Sequence, residues 1–86
     1  MVITWDERKR LSNLDKHGLD FADLTLEFFE TARLGSAKRE RYLAVGELDG
    51  DTAIVVIFAL LGTEAISVIS MRRANRRERS DAPQAS

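Results

Sequence analysis

AIVVIFALL, Ala53–Leu61, is an unbroken apolar run with a turn signal at either end. Asp49–Gly50 before it has the residue types of a tight type I′ hairpin, and Gly62–Thr63 after it marks a second reversal. The flanking stretches, RYLAVGEL and EAISVISM, read as strands. Strands joined by turns this short must be antiparallel. A strand apolar throughout belongs in the middle of a sheet, covered on both faces or nearly so. Its nine residues fall far short of the roughly 20 that a membrane-crossing helix needs.

The first half of the chain has a helical period. VITW, Val2–Trp5, is β-branched and aromatic and reads as a first strand. Asp6 can cap a helix over 7–17, closed by a left-handed Gly18. Leu11, Leu14 and Gly18 fall on one side of it, and Lys9, Asn13, Lys16 and His17 on another, at offsets of four, seven and eight. Asp20 opens a second predicted helix over 21–30, with Phe21, Leu24, Phe28 and Phe29 as its buried stripe. Residues 31–40 are small and polar, a loop or an irregular edge strand. The order strand, helix, helix, antiparallel meander predicts an α+β fold in two layers. Two N-terminal helices pack on one face of a small antiparallel sheet, and a short basic C-terminal segment follows. The opposite sheet face stays half open and needs a partner, a substrate or polar cover.

Eighty-six residues are one modest domain, burying roughly 60–65% of the unfolded surface. The expected domain is residues 1–79, with 80–86 as a frayed tail around Pro83. There is no cysteine, hence no disulfide, thiolate nucleophile or cysteine-ligated metal. The start, MVITWDERKR, is charged by residue 6 and does not read as a signal peptide, so a cytoplasmic location is expected. The chain has no phosphate loop, HExxH, GxSxG or EF-hand pattern. A single histidine cannot build a multi-histidine site, and Asp49 and Asp51 read as turn formers. Neither metal nor cofactor is expected.

The net charge is −1, yet MRRANRRERS, residues 71–80, carries five arginines against one glutamate. A solvated helix end has this composition. So does a site that grips phosphate or a partner's carboxylates, because guanidinium forks suit both. After Met71 the segment either extends the last strand or turns into a short helix; if it is helical, Arg72, Arg76 and Arg79 share a face. Arg41, Arg73 and Arg77 are further candidates for contact with a polyanion. His17 fits two roles, a favourable charge at a helix C-terminus and a general acid or base.

ITWDERKRLSNLDKHGLDFAD, 3–23, and ISVISMRRANRRER, 66–79, resemble the opening and closing motifs of the BrnT family of toxins. RYLAVG and the Asp–Gly hairpin between them fit the same spacing, so the resemblance covers about residues 3–79. It implies a RelE-like fold and a ribonuclease that stops translation. It also implies a BrnA-type antitoxin partner, in a 2:2 complex, through which alone operator DNA is bound. Matching positions are Lys9, Asn13, Lys16 and His17, then Ser70, Arg72, Ala74, Glu78 and Arg79. On this reading RNA is cut without metal, with Lys9, Lys16, His17, Arg72, Arg76 and Arg79 as the catalytic set. Arg41, Arg73 and Arg77 bind RNA. Two departures stand out. Ser67 occupies a position where many relatives carry arginine, and Ser80, Asp81 and Ala82 follow the Glu–Arg pair where an aromatic is common. An attenuated toxin that only binds its antitoxin is the alternative. A small DNA-binding protein is a weaker third, since the chain has no convincing helix-turn-helix.

Overall fold

The computed structural model describes residues 1–50 and 52–81. The elements run β1 (Val2–Trp5), α1 (Glu7–His17), a 3-10 turn (Phe21–Asp23), α2 (Leu26–Thr31), β2 (Arg33–Ser36), β3 (Tyr42–Leu48), β4 (Thr52–Leu61), β5 (Ala65–Arg73) and α3 (Arg76–Asp81). The sheet order is β1-β5-β4-β3-β2, so the apolar run is the central strand. Asp49 and Gly50 both have positive φ, 56° and 79°, as the hairpin requires.

The fold is α+β, but the sheet is mixed. β2 to β5 are antiparallel, as expected, whereas β1 lies parallel to β5. Hairpin turns dictate direction only between strands they join directly. β1 reaches β5 through the whole chain, so packing decides. Its register puts Ile3 beside Ile66 and Trp5 beside Val68, on the core side.

The predicted second helix is two pieces. Asp20 caps the 3-10 turn by accepting from the Ala22 N–H at 2.9 Å. Leu24 and Thr25 are then extended, and Thr25 starts α2 by accepting from the Phe28 N–H at 3.2 Å. The buried stripe survives the break, with Phe21, Leu24, Phe28 and Phe29 in the core against Ala44, Ile54, Val56 and Phe58. Gly46 lets α2 approach the sheet, since a Cβ there would lie 3.0 Å from the Phe28 ring.

α1 docks differently. Asn13 is its one buried residue, and Leu11 and Leu14 face solvent, 53% and 36% exposed. On the other sheet face, Val45 and Val55 are covered with help from Ala74, while Leu43 and Ile57 stay half-buried. α3 includes Ser80 and Asp81, the first two residues of the predicted tail; the remainder of that tail and Asp51 lie outside the described residues.

Candidate functional site

β1 ends at Trp5, opposite Val68, and leaves the rest of the β5 edge without a neighbouring strand. The Asn13 side chain takes that strand's place. Its Nδ2 donates to the Met71 carbonyl at 2.9 Å and to the Leu19 carbonyl at 3.3 Å, and its Oδ1 accepts the Met71 N–H at 3.1 Å. A primary amide can do this because it carries both a donor and an acceptor. At the far end of α1, Arg73 donates to the His17 carbonyl at 3.1 Å. At the near end, Asp6 accepts the Arg8 N–H at 2.9 Å, and Gly18 takes φ 70° to end the helix. Arg10 is held by Glu7 and Asp20, which ties α1 to the start of the 3-10 turn.

This docking opens a groove of about 350 Å³ between α1 and the end of β5. Lys9, Lys16 and His17 line it, as the helical offsets predicted, together with Arg8, Ser12, Asn13, Ile69 and Ser70. Arg8 and Ser12 were not singled out from the sequence, although they sit four apart on the same helix side. Ile69 reaches the groove because of a bulge. Ile57 pairs with Ser70 and Phe58 with Val68, leaving Ile69 without a partner across the ladder. Lys9 and Lys16 are exposed and hold no ion pair among the described residues.

The arginine segment does not form one helix. β5 stays in register to Arg73, opposite Ile54, and the Ala74 N–H still donates to the Ala53 carbonyl. Arg72 and Arg73 are therefore strand residues, and Arg76, Arg77 and Arg79 belong to α3. The segment is strand first and helix after, so Arg72 does not share a helical face with Arg76 and Arg79. Asn75 and Glu78 form a reciprocal cap that starts α3. The Glu78 N–H donates to Asn75 Oδ1 and the Asn75 N–H to Glu78 Oε1, both at 2.8 Å.

Glu78 also receives Arg72. Nη1 donates to Oε1 and Nη2 to Oε2, each at 2.8 Å. This fork holds the Glu78 carboxyl down to about 2, well below its ordinary value, and pushes the Arg72 pKa up. The five arginines against one glutamate are thus partly balanced, since that glutamate is paired with Arg72. Arg76, Arg77 and Arg79 remain exposed.

Ser70 joins the two basic regions. It lines the groove, and Arg72 lies two residues further along the same face of β5. Arg41 is apart from both. It precedes Tyr42, which pairs with Phe58, whereas Arg72 pairs with Val55. That separates Arg41 from Arg72 by about 13 Å along the sheet and two strands across it. No cluster of three or more histidine, cysteine or acidic residues suited to a metal occurs among the described residues. Nor is any described helix long and apolar enough to cross a membrane.

Residues 5–78 match the family model for the BrnT ribonuclease toxin of type II toxin–antitoxin systems. The structure is also similar to the 1.1 Å crystal structure of the Brucella abortus ribonuclease toxin BrnT. The TM-score is 0.85 with 54% identity, over 88% of this chain and 99% of that one. A search of curated proteins finds no match.

Proposed function

Because the chain belongs to the BrnT family of ribonuclease toxins of type II toxin–antitoxin systems, we propose that it cuts RNA in the groove between α1 and β5 without a metal ion. The observation that carries this reading is the junction at Ser70. There a groove with Lys9, Lys16 and His17 meets the arginines at the end of the sheet.

The reaction is transfer of a phosphoryl bond within the RNA. The 2′-oxygen of one ribose attacks the adjacent phosphorus as the bond to the 5′-oxygen breaks. A cyclic phosphate and a free 5′-hydroxyl result. His17, Lys9 or Lys16 removes the 2′ proton or returns one to the leaving oxygen. Arg72, with Arg76 and Arg79 nearby, holds the phosphate while charge grows on it. Arg73 and Arg77 extend the basic surface, and Arg41 meets RNA only if the strand crosses the sheet face.

The wider role we propose is supported by membership of a type II toxin–antitoxin family. The protein stops translation in the cytoplasm, has a RelE-like topology, and is neutralised by a BrnA-type antitoxin in a 2:2 complex. Operator DNA is contacted through the antitoxin alone. Purified protein is expected to cleave single-stranded RNA in excess EDTA and to leave cyclic phosphate ends. Cleavage abolished by EDTA and restored by a divalent cation contradicts the metal-free step.

One observation favours the binding-module alternative. Glu78 already occupies one edge of Arg72, and Ser67, further back on the same strand, adds no charge. On that reading the protein binds its antitoxin tightly and turns over no RNA.

A further inference from the structure

A guanidinium has five N–H donors. In Arg72 three are engaged. One Nη1 hydrogen goes to Glu78 Oε1 at 2.8 Å, and one Nη2 hydrogen goes to Oε2 at 2.8 Å. The second Nη1 hydrogen goes to the Arg73 carbonyl at 3.3 Å. The two that remain are the Nε–H and the outer Nη2–H. They lie parallel on one edge of the plane, which is the geometry that takes two oxygens of one phosphate. Glu78 therefore leaves Arg72 a second fork and fixes its orientation.

Glu78 is itself held. Its carboxylate also accepts the Asn75 N–H, its own N–H donates to Asn75, and Ala74 packs against Val45 and Val55. A free arginine side chain carries rotamer entropy that a phosphate would otherwise have to overcome on binding. We propose that Glu78 is a positioning residue for RNA cleavage: α3 delivers its carboxylate to Arg72 so that the Nε–Nη2 edge is preset for the scissile phosphate. This rests on the nuclease reading above. It assigns α3 a purpose that its exposed arginines alone do not.

The opposite role makes opposite predictions. If Glu78 merely competes with RNA for Arg72, removing its charge frees the arginine and speeds the reaction. The test is a double-mutant cycle on a short single-stranded RNA, with kcat and KM measured for wild type, Glu78→Gln, Arg72→Ala and the pair. Positioning predicts that Glu78→Gln lowers kcat about tenfold or more, with KM changed less than about threefold. The double variant should then be no worse than Arg72→Ala alone, since the carboxylate acts only through that guanidinium. Circular dichroism and the Nε–H signal of Arg72, followed by NMR, check that the fold persists and that the guanidinium loses its restraint in Glu78→Gln. A Glu78→Gln protein with equal or higher kcat/KM overturns the proposal while leaving the nuclease reading intact. A double variant much worse than Arg72→Ala also overturns it, because Glu78 then acts elsewhere. A wild-type protein that cleaves no RNA overturns both.

Discussion

Asn13 shows how one side chain can stand in for a strand. Its amide satisfies both backbone groups of Met71 on an edge that β1 does not reach, and a second carbonyl at Leu19. Asn13→Ala removes these partners from a buried site. It should cost about 1–3 kcal/mol, which urea unfolding would register. An unchanged midpoint would mean that water replaces the amide without loss. Glu78 makes a second residue-scale prediction. Its carboxyl sits at about 2 when folded and near 4.5 when not. A depressed acid stabilises the folded state above the unfolded value, and that contribution is lost as pH falls between about 4.5 and 2. Unfolding midpoints followed from pH 5 to pH 2.5 should therefore decline less steeply in Glu78→Gln than in wild type. Equal slopes would contradict the strength of the fork. The helical offsets made Asn13 visible as a neighbour of Lys9 and Lys16. Its role was not legible, because it depends on where β1 stops pairing.

At the scale of elements, what was legible is what local rules determine. Asp6 and Gly18 bound α1 because their cap geometry is local, and Asp49–Gly50 form their turn for the same reason. The break at Leu24–Thr25 was missed because the spacing of Phe21, Leu24, Phe28 and Phe29 suits a continuous helix equally well. Only the Thr25 cap distinguishes the two. The parallel β1 was missed because four residues carry no record of their partner. The basic segment was split by the β4 ladder, whose reach to Arg73 no arginine pattern announces. The contact between α2 and β3 yields a prediction. Gly46→Ala places a Cβ 3.0 Å from Phe28 and 3.2 Å from the Ala32 side chain. Neither neighbour can retreat freely within the core, so the change should destabilise by about 1–3 kcal/mol. Thermal unfolding would reveal it, and an unaltered melting temperature would show that α2 can shift outward cheaply.

Across the whole molecule, charge is divided by place rather than by amount. Acidic side chains gather around the β3–β4 turn, where Asp23, Glu27, Glu47 and Asp49 line a second depression. Basic ones line the α1 groove and the end of β5. A near-neutral chain can thus attract a polyanion to one side of itself. Family membership was legible from the opening and closing motifs, which fold onto each other. The first supplies the groove wall and the second the strand that it is fastened to. Which arginines lie on the strand and which on α3 was not legible, since that depends on how far β5 extends. The measurement that bears most directly on the central claim is induced expression of wild type and Arg72→Ala in bacteria lacking the antitoxin, with growth and RNA integrity followed together. Arrested growth with cut RNA, both relieved by the substitution, is the predicted result. Normal growth and intact RNA from soluble, folded wild-type protein would contradict it.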